Sequence, residues 1–175
     1  MLTPGTYYFK VTDANGCSYT ESYPIKAVTP ITVSSTKLTD VACFGTNTGS
    51  GTYTVSGNAI VGNYTFVLTS GILGTGTLTK LNNTLTLSNV AVGTYTVEVT
   101  DTATQCKANA TIIITQPSTG LSASVASNIN ANCTVTTSKV TITATGGTAP
   151  YTYAYKQDGV APVALDYVAS NVGNL

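Results

Sequence analysis

The sequence predicts an all-β chain built from tandem β-sandwich repeats with a period of about 88 residues. Three observations lead there: a composition that suits strands, a segment that recurs in phase, and turn signals at regular intervals. Thr is the commonest residue, with 35 copies in 175, beside 16 Gly and 11 Tyr. Branching at Cβ costs little on a pleated, half-buried surface and more in a helix, so Thr, Val, Ile and Tyr favour strands. Gly and Asn supply the turns between them. No segment carries a helical period.

The recurrence is read directly. Gly5, Thr6, Tyr7, Val11, Thr12 and Asp13 reappear as Gly93, Thr94, Tyr95, Val99, Thr100 and Asp101. The offset is 88 throughout, and it is 89 for Cys17 and Cys106 and 90 for Cys43 and Cys133. Chance does not hold phase over such a stretch, and self-similarity at a fixed period marks a repeat architecture. A second pair of segments agrees: Gly51–Gly57 leading to Asn63-Tyr64-Thr65-Phe66, and Lys139–Gly147 leading to Pro150-Tyr151-Thr152-Tyr153. Ser170-Asn171-Val172 resembles Ser88-Asn89-Val90, which precede Gly93-Thr94-Tyr95. The expected division is therefore 1–29 as the last two strands of one unit, 30–118 as a complete unit, and 119–175 as the first part of a third.

Within the complete unit, alternation and turn residues place seven strands, near 31–37, 51–56, 64–69, 75–80, 84–88, 94–100 and 108–115. Pro30 and Pro117 bound it. Seven short strands in such a length suggest an immunoglobulin-like sandwich. In the sixth strand Tyr95, Val97 and Val99 alternate with Thr94, Thr96, Glu98 and Thr100, one face for the core and one for water. Tyr7 and Tyr95 open this strand just after a Gly, where a tyrosine corner would stand, an ordinary core tyrosine being the other reading.

Composition also excludes functions. The chain has no His, no Trp and no Arg, its seven basic residues are Lys, and its net charge is zero. Charged residues are 8%, far below the roughly 25% of an ordinary soluble domain. No basic patch exists to displace counterions, so nucleic acid is not an expected partner. No apolar run approaches the ~20 residues of a membrane helix. Met1 is not followed by a signal peptide, so any export signal is expected outside this sequence. Without His there is no His-based triad or base, and the seven carboxylates form no evident pair. No enzyme, no metal and no cofactor is expected.

The residues from Pro4-Gly5-Thr6-Tyr7 through Asn15-Gly16-Cys17, their recurrence from Gly93 to Cys106, Cys43-Phe44-Gly45 with Gly49-Ser50-Gly51, and Gly146-Gly147-Thr148-Ala149-Pro150-Tyr151-Thr152-Tyr153 resemble the SprB-type repeat of Bacteroidetes cell-surface proteins. The resemblance implies large, secreted, filamentous surface adhesins, linked in that family to gliding motility and type IX secretion. The sequence departs from it at Asp101–Cys106, which lacks the Asn-Gly, and at Asn58–Gly62, where the last unit has Gly-Gly-Thr-Ala-Pro. The expected function is a structural or adhesive segment at the cell surface. The alternatives are a filament subunit completed by strand exchange, and a carbohydrate-binding module. Expected partners are neighbouring repeats, copies of the same chain, and surface polysaccharide.

Candidate site residues follow from these readings. Cys17, Cys43, Cys106 and Cys133, with no His and no CxxC, favour disulfides over zinc. Cys17–Cys43 with Cys106–Cys133 has nearly equal spacings but needs consecutive strands to fold back at Pro30 and Pro117. Cys43–Cys106 and bridges to neighbouring units are the other pairings. Asp13 and Asp101 occupy matching loop positions, as turn stabilisers or calcium ligands. Asp101-Thr102-Ala103 looks like the O-glycosylation signal of Bacteroidetes secreted proteins, which would put Thr102 on the surface. Tyr151, Tyr153 and Tyr155 fall on one face of a strand, as core or as an exposed sugar-stacking strip.

Overall fold

The computed structural model describes residues 1–58, 60–134, 139–154, 167–169 and 173–174, the last two stretches and Lys139 as backbone only. It is all-β, with no helix among the described residues. The strands are β1 (Gly5–Thr12), β2 (Ser18–Ile25), β3 (Thr32–Thr39), β4 (Gly49–Ser56), β5 (Tyr64–Ser70), β6 (Thr77–Leu81), β7 (Thr84–Val90), β8 (Gly93–Asp101), β9 (Lys107–Ile114), β10 (Ser122–Ile129), β11 (Lys139–Thr145), β12 (Thr152–Ala154), β13 (Tyr167–Ala169) and β14 (Gly173–Asn174). The seven strands expected between residues 31 and 115 are β3 to β9, with ends shifted by a few residues.

β3 to β9 form two antiparallel sheets, one ordered β3-β4-β7-β6 and the other β5-β8-β9. Their inner faces make the core. β8 alternates as expected, with Tyr95, Val97 and Val99 buried and Thr94, Thr96, Glu98 and Thr100 more open. Tyr53 and Val55 on β4, Leu85 and Leu87 on β7, Tyr64 on β5, and Ile112 and Ile114 on β9 complete the layer. Each fully buried side chain of this size stabilises by about 1.5–3 kcal/mol relative to exposure. Gly51 lets the sheets approach: a Cβ there would stand 2.7 Å from Ile112 Cδ1 and 2.8 Å from the Thr36 carbonyl. The tight turn Asn82-Asn83 between β6 and β7 places Asn82 at φ 52°, a left-handed conformation that Asn tolerates.

On either side stand hairpins that repeat parts of this sandwich. β1 and β2 pair from Gly5↔Ile25 to Thr12↔Ser18, and β8 and β9 from Gly93↔Ile114 to Thr100↔Lys107. All eight pairs correspond, by 88 residues on the first strand and 89 on the second. β10 and β11 pair from Ser122↔Thr145 to Ile129↔Lys139, with a bulge between Val125 and Ser127. β3 and β4 pair from Thr32↔Ser56 to Thr39↔Ser50, with a bulge between Lys37 and Thr39.

Neither pairing expected within the chain is formed: Cys17, Cys43, Cys106 and Cys133 are free. The pairing Cys17–Cys43 with Cys106–Cys133 needed β2 to fold back on β3 and β9 on β10. Instead β2 pairs only with β1, and β9 with β8. Cys43 and Cys106 lie at opposite ends of the sandwich, because the eight residues of β9 span ~26 Å, well beyond the ~7 Å between Cα atoms that a bridge allows.

Candidate functional site

Among the described residues, polar side chains gather at the start of β8, at the seam between the two sheets and at the turn after β8. At the first, the Tyr95 phenol donates to the Ala91 carbonyl at 3.0 Å, four residues upstream. Tyr7 donates to the Thr3 carbonyl at 2.7 Å, over the same span. Behind Tyr95, the Tyr53 phenol donates to the Tyr95 carbonyl at 2.7 Å. Burial, with Tyr95 beside it, pushes the Tyr53 phenol up to about 12. Tyr53 was not singled out from the sequence, although its place in the alternation Gly51-Tyr53-Val55 marks it as inward-facing.

The seam is the second place. β3 and β9 are edge strands of different sheets, yet they lie side by side and run the same way. The Ser35 hydroxyl donates to the Thr111 carbonyl at 2.8 Å. Further along, Val41 N–H donates to the Thr115 carbonyl at 2.9 Å. Thr115 N–H donates in return to Asp40 Oδ1 at 2.7 Å, while Lys37 Nζ holds Asp40 Oδ2 at 2.7 Å. The Lys37 bond and then the Thr115 N–H hold this carboxyl down to about 2. Just beyond, Gly45 N–H donates to Gln116 Oε1 at 3.0 Å. Asp40 and Thr115 are 75 residues apart, so no local motif signals the pair.

The third place is the turn from β8 to β9. Asp101 Oδ1 accepts the N–H groups of Ala103 at 2.7 Å and Thr104 at 3.3 Å. Asp13 Oδ1 accepts those of Asn15 at 2.9 Å and Cys17 at 2.8 Å. Both aspartates thus close their turns through one oxygen. Among the described residues no three His, Cys, Asp or Glu side chains gather as metal ligands would. Asp101 is buried where Asp13 is exposed. Asp101 Oδ2 and the phenol oxygen of Tyr64, its partner across the ladder, are buried with no hydrogen-bond partner.

The other sequence candidates lie apart. Thr102 is exposed, with its hydroxyl 3.3 Å from the Asn63 carbonyl. Tyr151 and Tyr153 are half-buried, beside a cavity of about 310 Å³ shared with Leu121, Ala123, Ala144 and Pro150. The Tyr151 phenol donates to the Gly146 carbonyl at 2.6 Å. Tyr155 lies outside the described residues. No described helix is long and apolar enough to cross a membrane.

A wholly β chain whose hairpins recur in register, with its polar contacts spent on holding strands together, has the features of a repeat protein. Residues 129–157 match the family model of the SprB repeat. The match takes in Cys133 and the segment Gly146–Tyr153. SprB repeats are typical of secreted, cell-surface proteins of Bacteroidetes. No curated protein and no solved structure matches the chain at a significant level.

Proposed function

We propose that this chain is a non-catalytic segment of an extracellular surface protein, in which immunoglobulin-like units repeat about every 88 residues and carry tension along a stalk or adhesin. Residues 1–29 act as the last strands of one unit, 30–118 as a whole unit, and 119–175 as the start of another. The observation that carries the reading is the seam between β3 and β9. The chain enters the sandwich at the start of β3 and leaves at the end of β9. Pulling on those two points slides the strands along each other. The bonds of Ser35, Val41 and Thr115 then resist together instead of parting one at a time. The shared register of β1–β2 and β8–β9 supports the division into units. The tyrosine hydrogen bonds at 7 and 95 support an equivalent corner in both.

A spacer of this kind has no ligand of its own. Surface polysaccharides titrated against the chain are expected to give no saturable binding. Saturable binding that disappears on Tyr151→Ala with Tyr153→Ala would replace the spacer by a carbohydrate-binding module.

One observation favours a second reading, self-assembly. The face of β1–β2 that corresponds to the core face of β8–β9 carries Phe9, Val11, Tyr19 and Tyr23, 49–69% exposed. The cavity beside Tyr151 and Tyr153 is an apolar space in the last unit, and it suits such a hairpin from another copy. Light scattering that grows with concentration would support it, and a concentration-independent monomer would remove it.

A further inference from the structure

A cavity of about 460 Å³ at the β8–β9 turn has a buried carboxylate in its wall. Asp101 is 1% exposed. Its Oδ1 is taken up by the N–H groups of Ala103 and Thr104. Its Oδ2 is buried with no partner. Asp13 shows that the turn alone does not ask for this, because there an exposed aspartate closes the matching turn through Oδ1 alone. A charged oxygen taken from water and given nothing in return costs its whole hydration, so the site is built for a positive partner.

The walls of the cavity narrow the choice. They include Lys26, Val28 and Thr29 from the linker after β2, Gly57 and Asn58 from the turn after β4, and Thr104, so that Thr29 and Thr104 offer neutral hydroxyls and Lys26 a charge. The Asn58 amide nitrogen is spent on the Ile60 carbonyl and Asn83 Oδ1. Gly57 and Val28 offer no side-chain donor. The Thr104 hydroxyl oxygen accepts Cys106 N–H at 3.4 Å. Among the described residues of the wall Lys26 is the one cation, and it is exposed, with no ion pair to another described residue. A metal ion fits less well. Asp101 is the sole carboxylate among the described residues of the wall, whereas calcium takes six to eight oxygens, several of them usually from carboxylates.

We infer that Lys26 is the counter-ion of Asp101: its ammonium folds into the cavity and donates to Oδ2, latching the linker after β1–β2 onto the β8–β9 turn. The latch fixes how the leading hairpin is joined to the sandwich, whether or not the chain bears tension. Its cation arrives from solvent, so added salt competes with it.

Backbone ¹⁵N relaxation of the 175-residue chain at low ionic strength tests this, read at Ala27, Val28 and Thr29. The wild type is expected to be rigid there, with order parameters of about 0.85. Lys26→Met is expected to drop them below about 0.6, the flexible range. Asp101→Asn, which keeps the turn-closing oxygen and removes the charge, should give the same drop. The double variant should be no more mobile than either single one, and about 0.5 M salt should reproduce the loss in the wild type. Lys26 is exposed and in no strand, so the result of Lys26→Met stands even if Asp101→Asn unfolds. Order parameters unchanged in Lys26→Met would overturn the latch. So would a drop produced by Tyr64→Phe and not by Lys26→Met, which would make the neighbouring phenol the partner. Rigidity gained on adding calcium equally in wild type and Lys26→Met would overturn it as well.

Discussion

Tyr95 donates its phenolic hydrogen to the carbonyl of Ala91 at 3.0 Å, tying the first buried side chain of β8 to the turn that delivers the strand. Tyr7 and Thr3 make the same bond at 2.7 Å, but on a hairpin whose faces are open. The geometry is shared and the surroundings differ, so the energetic weight should differ. Tyr95→Phe is expected to cost about 1 kcal/mol, the net worth of one hydrogen bond. Tyr7→Phe should stay within about 0.5 kcal/mol, as surface changes do. Urea unfolding midpoints of the two variants check this, and equal losses would contradict it.

Gly51 faces the opposite sheet with no room to spare. Gly51→Ala places a Cβ 2.8 Å from the Thr36 carbonyl and 2.7 Å from Ile112 Cδ1. Ile112 can rotate, but the carbonyl belongs to the paired strand β3 and cannot move without breaking the ladder. A loss of about 1–3 kcal/mol is expected, the range for overpacking a core. Thermal unfolding measures it, and an unchanged midpoint would mean the sheets are further apart than described.

Asp40 gives the seam a pH dependence. Lys37 and the Thr115 N–H favour its charged form, so its folded-state value falls from 3.8 to about 2. A depressed carboxylate stabilises fully above its unfolded value and loses that contribution as pH falls through its folded value. The seam is thus expected to hold above about pH 4 and to weaken between pH 4 and about 2. Asp40→Asn should lower the unfolding midpoint at pH 7 and flatten the acid limb over that window. An identical acid limb in the variant would assign the window to other carboxylates.

The thiols report on the connectivity. Cys17, Cys43 and Cys133 are exposed, and Cys106 is intermediate and packed against the core. A maleimide should label the first three quickly without denaturant and Cys106 more slowly. Labelling that requires a reductant would show bridges the fold does not contain.

The strands were readable because their signals are local. The alternation Tyr95-Val97-Val99 sets one buried face, and Asn82-Asn83 sets one turn. The matched motifs at Gly5 and Gly93 anticipated two hairpins of equal register. What the sequence hid lies between distant residues. Nothing near Asp40 announces Thr115. The spacing of the cysteines did not carry their pairing for a related reason. Even spacing suggested bridges between consecutive strands, but the β-sheet pairs β2 with β1 and β9 with β8, so spacing along the chain did not become proximity. Tyr53 was visible as a core residue, but its bond to the Tyr95 carbonyl depends on how the two sheets face each other.

Whether β3 and β9 resist a pull together is read by stretching single chains by their ends. The chain is expected to hold until one abrupt step releases the 31–115 sandwich, with a gain of roughly 250 Å at ~3.3 Å per residue once the folded length of about one strand is subtracted. Thr115→Pro, which deletes the N–H given to Asp40, should lower the force of that step. Extension without a force peak, or a peak that Thr115→Pro leaves untouched, would contradict the account.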